Sequence, residues 1–157
     1  MKILGIDPGT VQSGWAIFDT ATKDVIDSGV VDNELLAADL DNYDCDHIAI
    51  EVFEARGMPI GEDSIKTILF TGRIMQIAFQ QFSVSCVISV RRSAVKLHLC
   101  GSPKAKDANI RQALIDLLGP PGKKSVPGPT YGVTSHGWAA LAVAVTASAD
   151  LDAARRG

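Results

Sequence analysis

Hydrophobic and polar positions change period several times along this chain, and each change marks an element. "KILGI" is an apolar run closed by Asp7 and a Pro-Gly turn, and "SGWAIFD" alternates apolar and polar positions after it. Two β-type runs joined by such a turn predict an antiparallel hairpin. "KDVIDSGVVD" supplies a third strand of the same character, "NELLAADLDNYD" a short helix, and "HIAIE" a buried strand ending in an acid. Beyond the loop "ARGMPIG", residues 62–82 take up the helical period, with Ile65, Ile68, Leu69, Gly72, Ile74, Met75 and Phe79 on or near one face.

"VSCVISV" predicts a fifth strand and "RRSAVKLHLC" a helix behind it. "KAKDANIRQALIDLLG" is a clearer helix, with Asp107 at its start, an apolar stripe of Ile110, Leu114, Leu117 and Leu118, and Gly119 to close it. "PPGKKSVPGPTYG" is Pro/Gly-rich and predicts a loop, whereas "SHGWAALAVAVTASADLDAA" is helical and apolar enough to be largely buried. The last two strands flank a long helix, which implies a right-handed parallel crossover. The expected fold is therefore α/β: a mixed five-stranded sheet, three antiparallel strands then two parallel, with helices on both faces.

At 157 residues, 46% apolar and 21% charged, the chain can bury one sizeable core, so residues 1–157 are expected to form a single domain. No apolar run reaches the roughly 18 residues of a membrane span, and Asp7 interrupts the first apolar run too early for a signal peptide. A soluble, cytoplasmic protein without membrane contact is expected. Cys45, Cys86 and Cys100 form no CxxC or Cys/His cluster, which argues against a disulfide framework or structural zinc.

The net charge of -3 hides an uneven distribution. Residues 1–51 carry 2 Lys/Arg against 11 Asp/Glu, whereas residues 91–133 carry 8 against 2. One basic face offered to a polyanion and an ordinary solvated surface both satisfy this pattern.

Asp7 and Glu51 each close an aliphatic strand, where side chains meet the crevice in which α/β sheets bind ligands. Like charges side by side repel unless a cation separates them. Mg²⁺ and Mn²⁺ take oxygen ligands, and two such ions about 3.5 to 4 Å apart can activate water and stabilise a leaving oxygen in phosphodiester hydrolysis.

"IDPGTVQSGWAIFD", "IAIE" and "HGWAALAVAV" resemble, in order and across almost the whole chain, signature blocks of RuvC-type Holliday junction resolvases, especially the phage-borne branch. The resemblance implies a ribonuclease H-like fold and a homodimer that cuts four-way or branched DNA with divalent metal. Mg²⁺ or Mn²⁺ as a pair of ions would be needed, with no small-molecule cofactor, and a phage-borne protein would act in the host cytoplasm. Asp7 and Glu51 match the first two acidic ligands, and His136 the position where members carry Asp or His. A further family acid three residues on is Ala139 here.

Asp107 is the best substitute ligand for that missing acid, but an ordinary helix N-cap, the commoner role of Asp at a helix start, is the reading that weighs more. Imidazole in place of carboxylate favours Mn²⁺ somewhat over Mg²⁺ and adds pH dependence, since a protonated ring cannot ligate. Lys96 matches a lysine that the family uses near the scissile strand. Arg91, Arg92, Lys104, Lys106, Arg111, Lys123 and Lys124 are candidates for phosphate contacts because they are basic and fall in the same region. Phe53 corresponds to an aromatic wedge of the family if one residue is deleted, and its alternative is burial. The long helix carrying Gly72 is the dimer surface that the family implies.

Three other readings compete with a junction resolvase. One is a catalytically weak or inactive relative that binds branched DNA, motivated by Ala139. A second is a ribonuclease H-like RNA-processing nuclease, which shares an "IDxG" opening but lacks the closing helix. An actin-like ATPase would need two such domains, for which 157 residues are too few.

Overall fold

The computed structural model describes residues 1–157 apart from Arg56 and Met58, so those two residues of the expected 55–61 loop lie outside the described residues. The elements are strands β1 (Lys2–Asp7), β2 (Gln12–Asp19) and β3 (Asp24–Asp32), helix α1 (Asn33–Ala38), strand β4 (His47–Val52) and helix α2 (Glu62–Gln81). Then come β5 (Val87–Arg91), α3 (Arg92–Cys100), α4 (Asp107–Leu118), a small ladder of β6 (Gly122–Lys123) and β7 (Val126–Pro127), and α5 (Gly137–Arg156).

The main sheet has the order β3-β2-β1-β4-β5, with β1 antiparallel to β2, β2 antiparallel to β3, and β4 parallel to both β1 and β5. This is the expected mixed sheet. No described helix is long and apolar enough to cross a membrane.

Strand alternation divides the core in two. Ile3, Ala16, Phe18 and Ala49 face α3, α4 and α5, whereas Leu4, Ile6, Ile17, Ile48 and Ile50 face α1 and α2. Both faces of β1 and β4 are buried, which is why those strands read as nearly unbroken aliphatic runs. Asp7 is in phase with Ile3, and Glu51 with Ala49, so the same alternation puts both carboxylates on the α5 face.

α5 seats unusually close to the sheet. A Cβ on Gly5 would stand 2.1 Å from the Ala140 carbonyl oxygen, so only glycine lets Ala140 and Ala144 approach β1. On the other face, α2 buries Phe70, Thr71, Ile74 and Ala78. The apolar stripe read from the sequence divides: Ile74 is buried, whereas Ile65, Leu69 and Phe79 are 49%, 69% and 37% exposed and Gly72 is open. Leu117 of α4 is likewise exposed.

Three further expectations change. The "VSCVISV" strand begins only at Val87, because Val84–Cys86 coil into a 3-10 turn. The predicted loop after α4 contains the β6–β7 ladder, which the chain enters through Gly122 at φ 69°. Finally, α4 is capped at Lys106, whose N–H donates to the Asn109 side chain at 2.9 Å. Asp107 is thus the first helical residue and not the cap.

Candidate active site

Register brings the two acids together. Gly5 pairs with Ala49 and Ile6 with Ile50 in the parallel β1–β4 ladder, and one step further on Asp7 and Glu51 emerge side by side at the carboxyl ends. Glu51 also lies beside Val90 of β5, so the chain leaving β5 delivers Arg92 to the same place. On the other side, Asp7 is the register partner of Gly14, against which the backbone of His136 packs.

The loop after β1 is held by a buried network. Ser13 Oγ and Asn33 Oδ1 are 2.6 Å apart, and Asn33 Nδ2 donates to the Gly9 carbonyl at 3.0 Å. His136 sits at the N-cap of α5, just outside the helix, after Ser135 at φ 46°. Its Nδ1–H donates to Asp7 Oδ2 at 3.0 Å. With Nδ1 so engaged, Nε2 carries the free lone pair.

Arg92 lies between the acids. Its guanidinium donates to Glu51 Oε2 at 3.2 Å and to Asp107 Oδ1 on its other side. The Asp107 carboxylate is 83% exposed, against 16% for Asp7, 17% for Glu51 and 19% for Arg92. The pairing therefore draws a surface acid to the mouth of a buried group.

Two clefts meet at this point. One, of about 330 Å³, is lined by Asp7, Glu51, Phe53, Glu54, Arg92, Lys96 and Asp107 among others. The other, of about 360 Å³, shares Asp7, Arg92 and Asp107 and adds His136, Trp138 and Ala139. Ala139 thus faces the cleft one turn after His136, as the three-residue spacing requires, but without a donor.

Electrostatics mark the acids as a strained pair. Burial, followed by the neighbouring Asp7 charge, pushes the Glu51 carboxyl up to about 7, although Arg92 opposes the shift. Burial also raises Asp7 above the ordinary carboxylate value, against the pull of His136 and Arg92. Burial works against the Arg92 charge, but Glu51 and Asp107 together hold its pKa above the usual guanidinium value.

This donor set suits a hard divalent cation: two desolvated carboxylates that disfavour each other's charge, and a neighbouring imidazole. Among the described residues no three such side chains already form a cage. The Asp7–His136 hydrogen bond and the Arg92 bridge tie the donors up in other ways.

The remaining sequence candidates fall into three groups. Phe53, 43% exposed, and Lys96 line the first cleft. Arg111 stacks over the Trp138 ring at 5.0 Å, beside a further hollow that Asp107 also lines. Arg91, Lys104, Lys106, Lys123 and Lys124 are exposed and line neither of the two central clefts.

Sequence reasoning passed over Glu54, which accepts from the Ser93 N–H at 3.1 Å and the Ser93 hydroxyl at 2.7 Å. Arg91 makes no side-chain cap, so Glu54 does that work for α3 and fixes where Arg92 begins. Thr67 and Thr71 of α2 were also missed, and both line the first cleft. The only signal for Glu54 was a second acid three residues after Glu51.

No protein-family model matches the chain, and no curated protein matches it in sequence. Solved structures do match. The structure of Thermus thermophilus RuvC superposes with a TM-score of 0.67 at 21% identity, over 98% of this chain and 97% of that one. T. thermophilus RuvC in complex with Holliday junction substrate gives 0.65 at 19%, over 93% and 92%. Both matches span nearly all of each chain. This chain has the fold of these RuvC structures.

Proposed function

We propose that this chain is a structure-selective, divalent-metal-dependent endodeoxyribonuclease that resolves four-way DNA junctions. The observation that carries the reading is the convergence of Asp7, Glu51 and His136, from three separate elements, at the carboxyl ends of the central strands. It gains support from the fold, since a RuvC with this architecture is known in complex with Holliday junction substrate.

Asp7, Glu51 and His136 would hold Mg²⁺ or Mn²⁺, which when bound supplies an activated water and a counter-charge for the leaving oxygen. The protein's own residues do the rest. In the metal-free site the His136 Nδ1 hydrogen bond holds the Asp7 carboxylate in position, and it would give way for both groups to reach one ion. Lys96, in the same cleft, offers an ammonium to the scissile phosphate and counters charge that builds there. Phe53 presents an exposed ring at the cleft rim on which an unpaired junction base can stack. Arg91, Lys104, Lys106, Arg111, Lys123 and Lys124 extend the positive surface and contribute salt-sensitive phosphate contacts without sequence information.

Resolution needs two cuts, and a homodimer supplies two sites. Ile65, Leu69, Gly72, Gln76 and Phe79 recur along α2 at alternating spacings of four and three, the seam of a helix pair, with the apolar members exposed. This seam is the proposed dimer surface.

Ala139 favours one second reading, a relative that binds branched DNA without cutting it. A gel-shift and nicking assay on one synthetic four-way junction separates the two. The enzyme nicks the junction with Mn²⁺ or Mg²⁺, whereas a pure binder retards it and leaves it whole.

A further inference from the structure

The second cleft, which Ala139 lines, also holds an arrangement that the motif positions do not explain. Arg92 is largely buried, yet it reaches both clefts and contacts two carboxylates that come from different elements. Glu51 belongs to β4 and Asp107 to α4. Such a bridge is what a second divalent ion would make, with a monovalent organic cation in its place.

We propose that the Arg92 guanidinium stands in for the second ion of a two-ion site, so that this chain takes one divalent cation rather than two. Asp107 then acts as a positioning residue: it holds Arg92 against Glu51 and does not itself bind metal. The inference rests on the metal-dependent reading above and specifies its stoichiometry.

Three observations support it. First, Arg92 occupies Glu51 Oε2 at 3.2 Å, which leaves the other oxygen for a single ion. A second divalent cation within about 4 Å of the first would have to share Glu51 with a fixed positive charge. Second, Arg92 is enclosed where such an ion would sit: its side chain is 19% exposed and lines both clefts between Glu51 and Asp107. Third, Arg92 is anchored from behind: α3 starts at this residue, and Glu54 holds the first turn through Ser93. A guanidinium on a helix start tied down in this way is a built part of the site and not a surface side chain that swings aside at no cost.

Calorimetric titration with Mn²⁺, read together with Mn²⁺ electron paramagnetic resonance in the presence of an uncleavable four-way junction, tests the stoichiometry without turnover. Wild type is expected to bind one ion per chain with an isolated-ion spectrum. Arg92→Gln is expected to bind two, with the signature of a spin-coupled pair, whereas Arg92→Lys, which keeps the charge, stays at one. Asp107→Asn is expected to stay at one ion, with affinity changed by no more than about threefold, since its exposed charge is screened.

Two ions on wild type, or one ion on Arg92→Gln with unchanged affinity, would overturn this proposal and leave the nuclease reading standing. A tenfold or greater loss of Mn²⁺ affinity in Asp107→Asn would overturn it by making Asp107 a ligand. No ion on any variant would overturn the metal-dependent reading itself, and this inference with it. Far-ultraviolet circular dichroism of each variant establishes that the comparison is between folded proteins.

Discussion

A methyl group added to Gly14 would stand 2.2 Å from the carbonyl oxygen of His136 and 2.7 Å from its Cβ. β2 and the start of α5 thus touch backbone to backbone, and that contact sets His136 beside Asp7, the register partner of Gly14. Gly14→Ala should therefore do two things at once. It should destabilise the fold by about 1 to 3 kcal/mol, the range for an overpacked site that cannot relax easily. It should also move the imidazole away from Asp7 and weaken Mn²⁺ binding. Urea denaturation and calorimetry check the two effects separately.

Glu54 caps a helix to which it does not belong. Glu54→Ala should cost about 1 to 2 kcal/mol, the usual range for a lost cap. A double-mutant cycle with Ser93→Ala should show coupling through the Ser93 hydroxyl alone, because the backbone N–H bond survives that substitution. Additive effects would mean that the hydroxyl bond contributes nothing to stability.

Raised carboxyl pKa values make the metal-free protein depend on pH in a defined direction. The folded state binds the Glu51 proton more tightly than the unfolded state does, with its pKa moved from 4.5 to about 7. Its contribution is complete below pH 4.5 and fades as pH rises through about 7. Between those values, chelated protein should lose stability on the order of 3 kcal/mol, and Asp7 acts in the same direction. Glu51→Gln should flatten most of this slope. Thermal melts in chelator from pH 4 to 8 test the sign, and stability that climbs across the window would contradict it.

Burial, with help from Asp46 and Asp44, pushes the Cys45 thiol up to about 11. The thiolate is the reactive form, so native Cys45 should alkylate about a hundredfold more slowly at pH 8 than it does in urea. Mass spectrometry after timed iodoacetamide treatment reads this directly.

The α2 seam makes an independent prediction about assembly. Leu69 is 69% exposed, so Leu69→Asp should leave the melting temperature of the separated chain nearly unchanged. In sedimentation velocity the wild type should run as a dimer and the variant as a monomer. A wild type that is monomeric at all concentrations would remove the dimer from the account.

Much of this architecture was legible from residue pattern, for physical reasons. β1 and β4 are buried on both faces, so their aliphatic runs are unbroken and the acid that ends each one stands out. α5 needs small residues against Gly5, and "WAALAVAV" carries that need in its composition. What escaped the sequence is tertiary. Arg92 reads as one more basic residue until α3 and α4 bring it between Glu51 and Asp107, and Glu54 reads as a loop acid until α3 needs a cap.

Local rules also misled in places. Asp at a helix start suggests a cap, but Asn109 satisfies Lys106 and leaves Asp107 to face the cleft. The α2 periodicity was genuine, yet it superposes a buried face of Phe70, Ile74 and Ala78 on an exposed seam, and period alone does not say which of the two meets the sheet.

The central claim stands or falls on cleavage of a synthetic four-way DNA junction, with duplex DNA and an RNA substrate of the same sequence alongside. Wild type in Mn²⁺ should nick the junction at paired positions and spare the other two. Asp7→Asn should still bind it but cut at least about a hundredfold more slowly, since it removes a proposed metal ligand. Preferential cutting of the RNA, or equal junction cutting by Asp7→Asn, would contradict the account.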